Sequence, residues 1–141
     1  MRKLILIALI AAAAYAQADS NGHRRPKGPP VQDKTLARAE LDQLLATPDK
    51  VLLIDVRRPD EVSSIGGFPV YLSVQAGELE KHLDAIPKDR IIVTVSNHAA
   101  RAGHAADLLA SHGFNVAGAV GAETYEKDGG TLTKVEVPKK Q

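Results

Sequence analysis

Apolar positions along this chain fall into blocks of two kinds. Residues 51–56 (VLLIDV), 91–95 (IIVTV) and 115–120 are continuous or nearly continuous apolar runs. Such runs suit strands covered on both faces, as in a parallel sheet. Between them, apolar residues recur at helical spacing. Leu41, Leu44 and Leu45 mark a helix over Arg38–Leu45, and Leu79, Leu83 and Ile86 mark another over residues 78–86. Ala102, Ala105, Ala106 and Leu109, at i, i+3, i+4 and i+7, mark a third over about residues 99–112. Thr47-Pro48-Asp49 and Pro87 punctuate the first two helices, and Gly113 stands where a C′ glycine ends the third. Shorter segments predict strands near residues 34–36 and 70–74, and a last edge strand over 132–137. Residues 123–127 read as one more helical turn, and residues 57–67 as a polar loop holding one helical turn at most. Strands alternating with helices predict an α/β domain with a mainly parallel central sheet flanked by helices.

The first eighteen residues follow a different pattern. Arg2 and Lys3 precede an apolar run over residues 4–14, and Ala16-Gln17-Ala18 follows as a small-x-small site. That is the layout of a cleavable signal peptide, with Asp19 as the first mature residue. It implies a periplasmic or secreted protein. The run is shorter than the roughly 20 residues of a membrane helix, so no stable span is expected; an uncleaved anchor is the alternative. Residues 19–30, DSNGHRRPKGPP, read as a disordered basic leader. The domain is expected over residues 31–137, with a frayed end over 138–141.

Composition narrows the chemistry. A chain of 141 residues has room for one core. Removing Arg2 and Lys3 takes 18 basic residues to 16 against 17 acidic ones, a net charge of −1. No basic stripe interleaved with aromatics points to nucleic acid. The chain has no cysteine, which excludes disulfides, thiolate chemistry and a cysteine-linked lipid.

Residues 91–113 carry the candidate site. A strand runs into a loop over residues 96–101, and the loop opens into a helix. Unpaired N–H groups at such a helix start converge on one point and suit an anion. The amides from Asn97 to Arg101, with Ala99 and Ala100 between, form the candidate cradle for sulfate, thiosulfate or phosphate. Arg101 can add charge-assisted hydrogen bonds to such a ligand or pair with a carboxylate beneath the loop. Ser96 can touch a ligand or cap the helix. Asp55 and Arg57 are read chiefly as a structural ion pair or turn network supporting the site. Asp60-Glu61 suits the start of a helical turn.

Several segments together resemble a rhodanese-like domain over about residues 31–130. Leu53 to Arg57 (LIDVR), followed by Pro59-Asp60-Glu61, is similar to the family's first sheet motif. Ile65-Gly66-Gly67 stands at its Ile-Pro-Gly turn, and Ser96-Asn97-His98-Ala99-Ala100-Arg101 at its loop of cysteine, four residues and arginine. His112-Gly113-Phe114 and the stretch from Gly121 to Tyr125 follow in the family's order. The resemblance implies a three-layer domain, and the loop length implies sulfur rather than phosphate chemistry. Five departures stand out: Ser96 at the cysteine, Ala99 at a loop glycine, Ala102 at a serine, Ser64 at a frequent histidine and Gly66 at the proline. A left-handed backbone at position 99 would favour glycine, so the alanine raises the question whether the loop keeps its shape.

A serine cannot carry a persulfide. As a nucleophile it needs a general base with an orienting partner, and His98 is the loop's one candidate. These observations imply a domain without sulfurtransferase activity, acting as an oxyanion- or protein-binding accessory module. The alternatives are an enzyme using Ser96 and His98, or a cradle for a thiol supplied by a partner protein. No cofactor is implied. His98, His104 and His112 lack the i, i+4 spacing of a helical metal site, so no metal is expected.

Overall fold

The computed structural model describes residues 34–134 and 136. The signal peptide, the leader, the expected domain start at residue 31, and the terminal segment from residue 137 lie outside the described residues. The elements in order are α1 (Arg38–Leu45), β1 (Val51–Asp55), α2 (Pro59–Ile65), β2 (Tyr71–Ser73), a 3-10 helix (Ala76–Ala85), β3 (Ile91–Ser96), α3 (Ala100–Ser111), β4 (Asn115–Gly121) and α4 (Ala122–Lys127).

The strands form one parallel sheet in the order β2-β1-β3-β4. Its two faces follow from the alternation of side chains along each strand. Val51 and Leu53 of β1, with Val93 and Val95 of β3, face one apolar cluster that includes Leu41 of α1 and Tyr125 of α4. Ile54 and Ile92 face the other cluster, with Leu79 of the 3-10 helix and Leu109 of α3. The sheet is thus covered on both sides, which explains why its central strands are apolar without interruption. The α/β class and the flanked parallel sheet match the sequence expectation.

Four elements depart from the expected boundaries. The strand expected near residues 34–36 is a single parallel bridge, Thr35 to Ala119. The edge strand expected from residue 132 is likewise a single antiparallel bridge, Gly67 to Thr133, among the described residues. The helix expected over 78–86 is a 3-10 helix, with Leu79 and Ile86 still buried. Its start is pulled toward the sheet by Val74 N–H on the Asp55 carbonyl and Ala76 N–H on the Val56 carbonyl. A 3-10 helix rises about 2.0 Å per residue against 1.5 Å for an α-helix, so it covers more ground with the same chain.

The largest departure is α2, two helical turns in place of a polar loop. Pro59 at its first position fixes a helical φ and needs no N–H partner. Glu61 reaches back to accept the Arg58 N–H at 2.9 Å. Val62 is its buried anchor, while Asp60, Ser63 and Ser64 bond locally. With one core residue and many polar ones, its pattern lacks the apolar stripe from which a helix is read.

Helix α3 ends as expected. Gly113 adopts φ 84 just past the helix, and the Phe114 N–H returns to the Leu109 carbonyl at 3.1 Å.

Leu53 is fully buried in the central strand. Leu53→Ala is expected to cost about 2–5 kcal/mol through lost burial and a residual cavity. A urea titration should show a lower midpoint with an unchanged slope.

Candidate functional site

The site lies at the carboxyl ends of β1 and β3, where the chain leaves each strand. Strand β3 runs one residue further than expected, pairing Ser96 with Gly121. Ser96 is therefore the end of the strand and is 1% exposed. Its Oγ accepts the N–H of Ala102 at 3.0 Å, in the first turn of α3. Of the two roles open to Ser96, the structure displays the capping one.

The loop proper is only Asn97 to Ala99, because α3 begins at Ala100. Ala100 and Arg101, expected as loop residues, are the first two residues of that helix. Ala99 has φ 59 and ψ −25, a left-handed backbone that an L residue adopts at a cost of about 1–2 kcal/mol. The loop keeps the left-handed turn despite the alanine. The turn is held by Ala100 N–H on the His98 carbonyl at 2.6 Å and Gly103 N–H on the Ala99 carbonyl at 2.7 Å. Across from it, the Asn97 carbonyl accepts the Glu123 N–H of α4. Gly121 permits this approach: a Cβ there would sit 3.0 Å from the Asn97 oxygen and 3.1 Å from the Ala99 nitrogen. Among the described residues, no acceptor takes the N–H groups of His98, Ala99 or Arg101.

Beneath the loop lies a chain of polar side chains. Arg57 is fully buried and forks onto Asp55, Nε to Oδ1 at 2.9 Å and Nη2 to Oδ2 at 2.6 Å. Its Nη2 also donates to the Gly66 carbonyl at 2.9 Å, and its Nη1 to Asn97 Oδ1 at 3.4 Å. Asp55 and Arg57 are thus the structural ion pair expected from sequence. The Asn97 amide donates to Glu61 Oε1 at 3.1 Å. Glu61 in turn receives Arg101 through two bonds, of 2.6 and 3.0 Å. Arg101 therefore pairs with a carboxylate beneath the loop, one of its two expected roles.

Glu61 is the residue that sequence reading missed. It was legible as a helix-start residue, but its bond to Arg101 spans 40 positions and left no local signal. Its carboxylate collects four donors: Arg58 N–H, the Asn97 amide and two from Arg101. The Arg101 hydrogen bonds hold its carboxyl well below the ordinary 4.5, at about 2; burial opposes this and the Arg58 N–H adds to it. The guanidinium of Arg101 is raised in turn by the same hydrogen bonds.

His98 points elsewhere. It is exposed, and its Nδ1 lies 3.4 Å from Glu123 Oε2. Ser96 Oγ and His98 thus face different partners, and the geometry gives no nucleophile–base pair. His104 is exposed on α3, and His112 Nδ1 lies 2.9 Å from the Leu108 carbonyl. Among the described residues, no group of three or more histidines and carboxylates could hold a metal ion, and no helix is long and apolar enough to cross a membrane.

A buried Asp–Arg pair at the end of β1, a short loop from β3 into a helix, and a parallel 2-1-3-4 sheet define a recognisable scaffold. Solved structures share its overall fold. A rhodanese-related protein from Thermoplasma volcanium superposes with a TM-score of 0.64 at 19% identity, covering 72% of this chain and 99% of that one. The fold is that of the rhodanese-like domains. A rhodanese-like domain protein from Staphylococcus aureus gives a TM-score of 0.60 at 22% identity, over 72% of this chain and 99% of its own. A thiosulfate sulfurtransferase from Pseudomonas aeruginosa gives 0.57 at 27% identity, over 77% of this chain; the match spans 21% of that longer protein. No protein-family model matches the chain, and no curated protein matches it. Within the rhodanese-like fold, this chain presents a loop without a thiol, because it contains no cysteine.

Two outcomes are expected of the site. Glu61 is ionised at lower pH in the folded chain than in the unfolded one, so it contributes stability above about pH 4.5 that is lost as the pH falls toward about 2. Denaturant titrations across that window should show this acid loss, and Glu61→Gln should be less stable at neutral pH and flatter below pH 4.5. Ala99→Gly should raise stability by about 0.5–1 kcal/mol, because glycine relieves the left-handed strain at some entropic cost. Thermal melts of the two chains provide the comparison.

Proposed function

We propose that this chain is a secreted rhodanese-like domain that does not transfer sulfur and serves as an accessory binding module. One observation carries the reading: no sulfur atom stands at the end of β3, where a buried serine hydroxyl accepts the Ala102 N–H instead. Rhodanese-type chemistry needs a thiolate to accept a sulfane sulfur and hold it as a persulfide. A serine oxygen forms no such intermediate, and a buried hydroxyl without a base is a poor nucleophile. The signal-peptide pattern of residues 1–18 supports export to the periplasm or beyond.

The ligand is either a small oxyanion or a group on a protein partner. The three N–H groups of His98, Ala99 and Arg101 left without acceptors among the described residues favour an oxygen ligand at the loop. The left-handed turn at Ala99 supports the same reading, because it leaves the Ala99 N–H without a partner among the described residues.

The mature chain is expected to release no thiocyanate from thiosulfate and cyanide above a boiled control. Clear, protein-dependent thiocyanate would sink the proposal. Amide chemical shifts of residues 97–101, followed during titration with thiosulfate, sulfate or phosphate, identify whether the loop is the binding surface.

A further inference from the structure

We propose that the basic leader of this chain docks on the open edge of the sheet: residues 23–27 (HRRPK) add to β2 as a short extra strand, beside the cleft between β2 and the 3-10 helix.

Strand β2 is the first of the order β2-β1-β3-β4, so its outer side is a sheet edge. The Leu53 N–H bonds to the Val70 carbonyl and the Val74 N–H to the Asp55 carbonyl. Residues 70, 72 and 74 therefore bond inward, and the peptide groups of Tyr71 and Ser73 turn outward, where they meet no partner among the described residues. No residue from Phe68 to Gly77 is charged, so this edge lacks the charged side chains with which edges are usually blunted. Val70, the one exposed large apolar side chain among the described residues, stands at its start. A cleft of about 430 Å³ runs alongside, lined by Leu72, Val74, Gln75, Glu78 and His82 among others. An unpaired edge with a cleft beside it suits an extended segment: the edge bonds its backbone and the cleft receives side chains.

Length, charge and register select the leader as that segment. Residues 19–33 lead up to Lys34, whose carbonyl holds the Ala119 N–H on β4, the far edge of the sheet. Fifteen residues span up to about 50 Å, and three strand spacings amount to roughly 15 Å, so the leader has the reach. The 3-10 helix beside the cleft carries Glu78, Glu80 and Asp84 against Lys81. Lys81 bonds to Glu78 at 3.1 Å, which leaves Glu80 and Asp84, both exposed, without an ion-pair partner among the described residues. Arg24, Arg25 and Lys27 supply the opposite charge. His23, Arg25 and Lys27 fall at alternate positions and each keeps an N–H for the edge, while Pro26, which has none, falls between them on the side away from β2. Composition gives the free leader no core to fold around, and docking orders only the stretch that meets the edge.

The test uses the mature chain, residues 19–141. Hydrogen exchange of the Tyr71 and Ser73 N–H groups should be at least tenfold slower with the native leader than in Arg24→Glu/Arg25→Glu/Lys27→Glu, whose substitutions lie outside the folded domain. A difference below twofold would overturn the proposal. Because the chain has no cysteine, Gly22→Cys accepts a single nitroxide label. Selective broadening of the Ser73 and Gln75 amides, with label and isotope on the same chain, is the expected result. Its absence, or broadening that arises only between labelled and isotope-enriched copies, would overturn docking of the chain's own leader; the second outcome would assign the edge to a neighbouring copy.

Discussion

The site is organised by a fully buried arginine. Arg57 leaves β1 and turns back onto Asp55, so that one ion pair fixes the end of the strand, the Gly66 carbonyl after α2 and the Asn97 side chain of the loop. A guanidinium out of water is tolerated only when its donors are satisfied, and breaking such a pair from one side typically costs about 3–5 kcal/mol. Three chain segments are therefore held to one another by a single side chain. The remainder of the site is an extension of the same network through Asn97, Glu61 and Arg101.

That extension gives the loop its character. In many anion cradles an arginine faces outward and backbone N–H groups converge beside it. Here the arginine is bonded to a carboxylate of α2. The same bond that steadies the loop also removes its free positive charge. Ser96 shows a comparable trade: its hydroxyl steadies the first turn of α3 and is withdrawn from the surface. Structural roles account for both side chains.

Much of the fold could be read from the chain. The uninterrupted apolar runs of β1 and β3 reflect burial on both faces, and Leu41 and Leu109 sit on helix faces that the spacing marked. The elements that were misread are those whose form is set by distant partners. Helix α2 shows a weak apolar stripe because its polar side chains serve local bonds and the loop, while Val62 alone lies buried. The 3-10 helix keeps Leu79 buried and Leu83 partly buried, with Ile86 buried just past its end, and differs from the expected α-helix in pitch, which apolar spacing over ten residues does not resolve.

Sequence alone determined the class of the fold, the position of the loop and the absence of a thiol, because periodicity and composition are local properties. It also marked Asp55 and Arg57 as a structural ion pair or turn network, of which the structure shows the ion pair. Only the tertiary structure decided that Ser96 caps α3, that Ala99 keeps a left-handed turn, and that Glu61 claims Arg101. Each of those depends on contacts between segments that the chain separates, up to 40 residues for Glu61 and Arg101. Folding brings such groups within hydrogen-bond distance, and that distance settles whether a charge faces a ligand or another residue of its own chain.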